Sequence, residues 1–217
     1  MLLDLDGTLV DTCPDLLDTL NVVIRPHGGI DMSREAFQPF IGRGARHMIE
    51  RALAAETIVL DRETLEAVHD RFLRHYESRI ARLSRPYPGA IAAIDGLRAE
   101  GVRFAVCTNK LERLARRLIE ELGIADRFAA ITGPDTYGAG KPDPAMLLRT
   151  VAAIGGSAAR AVMVGDSRYD SEAAQNAGLP FIGVSFGYTE TPMAELGPDV
   201  LIDTFAELPE ALRRLAG

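Results

Sequence analysis

The feature that most constrains the fold is the alternation of short apolar runs with helical patterns in the second half of the chain. Five runs have the length and composition of buried strands: VRFAVC (102–107), FAAIT (128–132), AVMVG (161–165), PFIGVS (180–185) and DVLI (199–202). Helical periodicity appears between them, at 111–123, 144–156 and 171–178. Strands that alternate with helices predict βαβ units, and therefore an α/β fold with a parallel, Rossmann-like sheet.

The segment from 13 to 84 has a different pattern. Its apolar residues recur at helical spacing in three stripes, which begin at Leu16, Met48 and Leu65, and no strand pattern interrupts them. The sequence therefore predicts an all-helical insert between the first strand and the rest of the sheet. We expect an α/β core formed by 1–12 and 85–217 and a helical cap domain formed by 13–84.

Composition and charge exclude several classes of function. The 217 residues carry a formal net charge of −7, which argues against a nucleic-acid binder because such proteins need a basic face. Two distant cysteines, Cys13 and Cys107, fit reduced thiols, and the N-terminus lacks the pattern of a signal peptide. We therefore expect a cytoplasmic protein without membrane contact, either a monomer or a homodimer.

Polar residues follow the predicted strands at the positions where ligands bind to parallel sheets. Asp4 and Asp6 end the first apolar run, the tripeptide Thr108–Lys110 follows the second strand, Lys141 follows a loop after the third, and Asp166 and Asp170 follow the fourth. Unpaired carboxylates this close together would repel one another, and a hard divalent cation such as Mg²⁺ removes that repulsion. The sequence thus predicts a magnesium site that can hold a phosphoryl group.

Four motifs resemble those of the haloacid dehalogenase-like phosphohydrolases, and they occur in the family's order. They are DLDGT after the first strand, CTNK after the second, GKPDP before a helix, and VGDSRYD. IGRGARHMIERAL, TNK and VGDSRYDSEAAQNAG further resemble the phosphoglycolate phosphatase branch. Two departures are Leu111, where many relatives have Pro, and the loop TGPDTYGAG.

The resemblance implies a role for each motif residue. Asp4 is the nucleophile that attacks phosphorus, and Asp6 is the acid and then the base. Thr108 and Asn109 bind phosphate oxygens, and Lys141 neutralises charge on Asp4 and on the phosphoryl group. Mg²⁺ is held by the side chains of Asp4 and Asp166 and by the Asp6 carbonyl. Asp170 lies behind these ligands or contacts the metal through a water molecule, and it also caps a helix. All of these remain expectations at this stage.

The substrate is expected to be a small phosphorylated metabolite, with 2-phosphoglycolate as the first choice. Gly42, Arg43 and Arg46 in the insert offer helix N-terminal amides and cations to a carboxylate. Alternatives are a phosphatase for a sugar phosphate or pyrophosphate, a phosphosugar mutase, and a phosphate-sensing module without catalysis. Asp6 argues against a haloacid dehalogenase, because that branch lacks the second acid.

Overall fold

The chain was analysed as a computed structural model, which describes residues 1–216. It contains eight strands: β1 (Leu2–Leu3), β2 (Val10–Asp11), β3 (Arg85–Pro86), β4 (Ala105–Cys107), β5 (Ala130–Thr132), β6 (Met163–Gly165), β7 (Phe181–Val184) and β8 (Val200–Ile202). It contains ten α-helices: α1 (Cys13–Ile24), α2 (Arg34–Phe37), α3 (Ala45–Ala55), α4 (Arg62–Glu77), α5 (Ala90–Ala99), α6 (Glu112–Glu121), α7 (Pro134–Tyr137), α8 (Pro144–Ala153), α9 (Arg168–Ala177) and α10 (Leu208–Ala216).

Six of the strands form one parallel sheet in the order β5-β4-β1-β6-β7-β8. The sequence prediction of a parallel α/β sheet is therefore confirmed. Strand β1 lies at the centre, and the chain runs outward from it to β4 on one side and to β6 on the other. The strand order thus reverses at β1, and the carboxyl end of such a strand is where open α/β sheets bind ligands.

Successive strand residues point to opposite sides of the sheet, and the residues on both sides are buried. Leu3, Val106 and Val164 belong to one apolar cluster. Leu2 and Met163 belong to a second cluster on the other face. This explains why the strands read as continuous apolar runs and not as alternating ones.

The segment 13–84 is helical throughout its regular elements. It joins the sheet through the antiparallel pair β2–β3, in which Val10 lies opposite Pro86. The pair lies at the predicted boundaries, whereas the division into two domains stays a prediction. Phe37, Phe72 and Tyr76 from this segment belong to the same apolar cluster as the first face of the sheet.

Most elements are shorter than or offset from their predicted ranges, and two of them show the physical reason. Strand β4 begins at Ala105 and not at Val102, since its ladder covers only Leu2–Leu3 of β1 and 130–132 of β5. Helix α9 begins at Arg168 and not at Ser171, because Ser167 and Asp170 form a capping box that starts the helix earlier. No helix in the described part of the chain combines the length and apolar character that crossing a bilayer requires.

Candidate active site

The loop after β1 places Asp4 and Asp6 at the centre of the sheet's carboxyl edge. The backbone amide of Asp4 donates to the carbonyl of Val164, at 2.9 Å, which continues the pairing with β6. The chain then turns sharply at Gly7, whose φ is +88°. A Cβ at this position would lie 2.3 Å from Asp166 Oδ2, so only glycine lets the loop close over that carboxylate.

Three carboxylates form a buried cluster beside this loop. Each of Asp4, Asp166 and Asp170 offers an oxygen, and these oxygens lie within 4.8 Å of one another. Lys141 Nζ lies 2.7 Å from Asp4 Oδ1 and 2.5 Å from Asp170 Oδ1. All four side chains are buried. One ammonium among three carboxylates leaves two negative charges without a counterion when all three are ionised.

This excess charge raises the proton affinity of the cluster. Burial raises the pKa of Asp4 to about 7, although the neighbouring Lys141 acts in the opposite direction. Burial, and then the charges of Asp4 and Asp170, also raise the pKa of Asp166 well above its usual range. Asp4 Oδ1 accepts no aligned hydrogen bond within residues 1–216. A cluster of oxygen donors with uncompensated negative charge fits a hard divalent cation.

Neighbouring groups fix the orientation of Asp166 and Asp170. Asp166 Oδ1 accepts a hydrogen bond from the Thr8 hydroxyl at 2.7 Å, and Oδ2 accepts one from the Tyr188 amide at 2.8 Å. Asp170 Oδ2 accepts from the amide and the hydroxyl of Ser167, at 3.0 and 2.6 Å. Asp170 therefore caps helix α9 while its other oxygen holds Lys141.

The side chain of Asp6 is not part of the acidic cluster of Asp4, Asp166 and Asp170 and has partners of its own. Lys110 Nζ donates to both of its carboxylate oxygens at 2.7 Å, and the Thr12 hydroxyl donates at 2.6 Å. Sequence reasoning noted that Lys110 follows β4 but gave it no role. Its place directly after Thr108 and Asn109 was the only local signal, because Asp6 is 104 residues away.

Asp4 and Asp6 lie at one end of a cavity of about 270 Å³ between the sheet edge and the helical segment. Its lining includes the predicted binding residues, which are Thr108, Asn109, Gly42, Arg43 and Arg46. Thr108 is buried beside the loop that carries Asp4 and Asp6, and its Oγ1 accepts a hydrogen bond from the Lys110 amide at 3.2 Å. The cavity therefore brings together predicted residues from both parts of the chain.

Asn109 connects three segments around this cavity. Its side-chain amide donates to the carbonyls of Gly42 and Lys141, at 3.0 and 3.1 Å. Its Oδ1 accepts from the Lys141 amide at 2.8 Å. The side chain thus holds the Lys141 loop and the start of α3 in place, which leaves only the Asn109 backbone for the predicted phosphate contact.

The two arginines of the helical segment that were predicted to bind the substrate, Arg43 and Arg46, already have partners. Arg43 is exposed, with its guanidinium 5.5 Å from the centre of the Tyr169 ring. Arg46 forms ion pairs with Glu66 and Glu50. Neither contacts Asp4 or Asp6 directly, so their predicted role in binding the leaving group stays a prediction.

Comparison with known proteins agrees with this geometry. Residues 1–184 match the model of the family described as haloacid dehalogenase-like hydrolase. The phosphoglycolate phosphatase of Agrobacterium fabrum is 47% identical over 96% of this chain and 90% of its own length. That of Mesorhizobium japonicum is 46% identical over 99% of this chain and 96% of its own length.

Solved structures resemble the chain over nearly its whole length. A predicted phosphoglycolate phosphatase from Haemophilus somnus 129pt superimposes with a TM-score of 0.91 at 28% identity, covering 97% of this chain and 96% of that one. A mutant of CbbY from Rhodobacter sphaeroides, crystallised with xylulose-(1,5)bisphosphate, gives a TM-score of 0.79 at 25% identity over 95% and 94% of the two chains.

The chain belongs to the haloacid dehalogenase-like hydrolases, as the four motifs, the parallel sheet and the family match together show. Its relatives define its position within that family more narrowly. It is a phosphatase of the phosphoglycolate phosphatase-like branch.

Proposed function

We propose that the protein hydrolyses 2-phosphoglycolate to glycolate and phosphate through an aspartyl-phosphate on Asp4, with Mg²⁺ as its cofactor. The observation that carries the proposal is the placing of Asp4 between Lys141 and the acidic cluster, at the end of a cavity that also contains Asp6. The names of the relatives supply the choice of ester.

In the first half of the reaction, an Asp4 carboxylate oxygen attacks phosphorus and the bond from phosphorus to the ester oxygen breaks. Asp6 gives its proton to the departing oxygen, so that glycolate leaves as an alcohol. Thr108 donates its hydroxyl to a phosphoryl oxygen, and Lys141 balances the negative charge of Asp4 and the transferring group.

In the second half, Asp6 takes a proton from water, and the resulting hydroxide attacks phosphorus. The bond between phosphorus and Asp4 breaks, which releases phosphate and restores the carboxylate. The hydrogen bonds from Lys110 and Thr12 hold the Asp6 carboxylate in one orientation for both proton transfers.

Asp4, Asp166 and the Asp6 carbonyl would hold Mg²⁺, with Asp170 behind them. When bound, the cation supplies positive charge that stabilises the phosphoryl oxygens in the transition state. The raised pKa values of Asp4 and Asp166 support this assignment, because a cation is what allows both buried groups to be ionised at neutral pH.

We further propose that segment 13–84 acts as a cap that closes over the substrate and excludes bulk water. The antiparallel pair β2–β3 at its base supports this role, because both connections between the segment and the sheet pass through it. A cytoplasmic location remains a prediction, supported by two free, buried thiols at Cys13 and Cys107. A monomeric or dimeric state remains a prediction from the sequence alone.

Two features favour a small substrate. The cavity volume of about 270 Å³ lies just below the usual range for ligand pockets, and Asn109 holds its wall at Gly42 close to the sheet. A sugar phosphate is the second candidate, because a structural relative was crystallised with xylulose-(1,5)bisphosphate. A phosphosugar mutase would use the same groups but return the phosphoryl group to its sugar.

The test is a measurement of phosphate release from 2-phosphoglycolate, glucose 6-phosphate, pyrophosphate and para-nitrophenyl phosphate, with MgCl₂ or with EDTA. We expect the highest kcat/KM for 2-phosphoglycolate, and activity only with Mg²⁺. Asp4→Asn should abolish turnover while circular dichroism shows an unchanged fold. A higher kcat/KM for a sugar phosphate would replace the proposed substrate, and isomerised sugar without free phosphate would identify a mutase.

A further inference from the structure

Lys110 is the cation that pairs with Asp6, the residue proposed to protonate the leaving group. Its ammonium is 2.7 Å from both oxygens of Asp6, and only 6% of its side chain is exposed. It also lies 4.8 Å from the centre of the Tyr76 ring and lines the cavity. A lysine that is already buried at this position can bind an anion that enters the cavity, because the lysine does not first have to move in from solvent.

The Tyr76 hydroxyl is a second polar group beside the cavity, and it has no hydrogen-bond partner within residues 1–216. The Tyr76 side chain is itself buried. A buried hydroxyl without a partner is unfavourable, because it has lost its hydrogen bonds to water. Lys110 likewise has three N–H groups, of which Asp6 uses two. Both residues therefore retain hydrogen-bond donors for a ligand.

We propose that Lys110 and Tyr76 form a subsite for a carboxylate, and that this subsite selects esters whose carboxylate is on the carbon next to the phosphorylated oxygen. The inference rests on the proposed phosphatase function and adds the chemical class of the substrate. Lys110 is a specificity-determining residue in this scheme, and Asp6 retains the proton transfers.

The distances explain the selection. Asp6 reaches the ester oxygen by one hydrogen bond, and Lys110 reaches Asp6 by another, so the ammonium lies within about 5.5 Å of the ester oxygen. A carboxylate on the adjacent carbon falls within that range. A carboxylate one carbon further along can also reach the ammonium, but binding it fixes one additional rotatable bond and therefore costs more conformational entropy. A sugar presents only hydroxyl groups at this position.

The other cations of the cavity wall are less suited to this role. Arg46, like Lys110, pairs with a carboxylate, but its side chain is 41% exposed, so solvent screens its charge. Arg43 is exposed and lies against Tyr169. An ion pair formed by a half-exposed side chain contributes little, whereas the attraction between a buried cation and an anion is stronger because solvent screens it less.

The first experiment compares 2-phosphoglycolate with ethyl phosphate, which lacks the carboxylate, in the holoenzyme and in Lys110→Met and Lys110→Arg. The ratio of the two kcat/KM values isolates recognition of the carboxylate, since any effect on Asp6 changes both substrates. We expect Lys110→Met to lower this ratio about 10- to 100-fold, the range for a lost hydrogen bond to a charged group. Lys110→Arg should retain most of it, and Tyr76→Phe should lower it several-fold.

Arg149→Met is the matched control, because Arg149 also lies over a tyrosine ring, 5.6 Å from the centre of Tyr137, but outside the cavity. It should leave the ratio unchanged. Equal losses on both esters in Lys110→Met would overturn the subsite and leave Lys110 as a group that only positions Asp6. An equal preference for 3-phosphoglycerate and 2-phosphoglycolate in the wild type would overturn the proposed geometry.

A binding measurement separates this inference from the proposed function. Calorimetry of 2-phosphoglycolate against Asp4→Asn, with and without Lys110→Met, needs no turnover. We expect at least a 10-fold weaker Kd in the double variant and an unchanged Kd for inorganic phosphate. If the wild type hydrolyses no ester but this difference holds, the proposed function fails and the subsite stands. An unchanged Kd for 2-phosphoglycolate would refute the subsite even in an active phosphatase.

Discussion

At the scale of single residues, the site concentrates negative charge where water cannot screen it. Asp4 and Asp166 are both buried, and Lys141 is the only cation that forms an ion pair with Asp4 within the described residues. The pKa of Asp4 is therefore raised to about 7, chiefly by burial. The arrangement that suits the proposed nucleophile and metal site therefore lowers the stability of the metal-free protein, because it keeps like charges close together without solvent screening.

This charge predicts how stability depends on pH in EDTA. An unfolded Asp ionises near pH 3.8, whereas folded Asp4 ionises near pH 7, so the folded state binds more protons between these values. Its stability therefore falls as pH rises through that window. Asp4→Asn removes the effect, and the difference in Tm between this variant and the wild type should be more positive at pH 8 than at pH 5.

Asp70→Asn on the exposed face of α4 is the control, and its difference in Tm should be the same at both pH values. MgCl₂ at pH 8 should raise the Tm of the wild type by more than it raises that of Asp4→Asn. Scanning calorimetry measures both quantities. A difference in Tm for Asp4→Asn that does not change with pH would contradict the burial of an ionisable Asp4.

At the scale of elements, one carboxylate joins the two ends of the helical segment. Asp15 in the first turn of α1 accepts hydrogen bonds from the amides of Leu83 and Ser84 and from the Ser84 hydroxyl, at 2.7–3.1 Å. These residues immediately precede β3. The buried Asp15 thus fixes the exit of the chain against its entry.

Asp15→Ala is expected to lower the free energy of unfolding by about 2–4 kcal/mol, because it leaves buried amides without an acceptor. Asp18→Ala in the same helix is the control. Its side chain is 47% exposed and forms only an ion pair with Arg79 at 3.5 Å, so the cost should stay below about 1 kcal/mol. Urea unfolding measures both, and similar losses would show that Asp15 is not a special contact.

A second set of contacts connects β2 and the start of α1, at the base of the helical segment, to the acidic cluster. The Tyr188 hydroxyl donates to Asp11 of β2 at 2.5 Å and accepts from the Cys13 amide at 3.0 Å, while the Tyr188 amide donates to Asp166. The base of the helical segment and a proposed metal ligand are therefore held by one residue. Gly187 allows this approach, since a Cβ there would lie 2.1 Å from Asp166 Cβ.

At the scale of the whole molecule, the helical segment and the sheet share a continuous apolar cluster. Each large apolar side chain buried there stabilises the folded state by about 1.5–3 kcal/mol. The polar contacts across the cavity are fewer than these apolar contacts. One of them is the hydrogen bond from the Asn109 side chain to the Gly42 carbonyl. Closure of the proposed cap would therefore depend on hinge residues near β2 and β3 while the apolar cluster stays packed.

The two thiols provide probes of this motion. Cys13 begins α1, next to the proposed hinge at β2, and Cys107 ends β4. Burial raises the pKa of Cys13 to about 12 and the pKa of Cys107 to about 11. Both should react slowly with a disulfide reagent in the native state, because the thiolate is the nucleophile. If the segment moves as a cap, Cys13 in Cys107→Ala should react faster than Cys107 in Cys13→Ala.

Phosphate with MgCl₂ should slow the reaction of Cys13 and leave that of Cys107 unchanged. The rate of thiol modification, followed by absorbance, measures each. Equal rates for the two thiols, with no effect of phosphate, would indicate that they become accessible only by global unfolding and would weigh against the cap. Unfolding in urea should make both react rapidly, which verifies the reagent.

The sequence by itself determined the parallel sheet and the edge at which its polar residues meet. Strand composition and helical periodicity are local properties, and the carboxyl ends of parallel strands necessarily lie together, so Asp4, Thr108 and Asp166 could be predicted as neighbours. The motifs also placed Lys141 with them. Helix and strand ends were less predictable, because ladder length and the capping box at Ser167 depend on neighbouring elements.

Only the tertiary structure decided the contacts that join distant parts of the chain. Lys110 and Asp6 are 104 residues apart, and Tyr188 and Asp11 are 177 apart. No periodicity or spacing encodes such pairs, because they depend on how loops from different strands meet above the sheet. The partners of Arg46 were unpredictable for the same reason, since α4 brings Glu66 to it. The sequence gives the charge of each residue and therefore the kind of partner that the residue can bind. The packing of the folded chain determines which partner lies close enough to be bound.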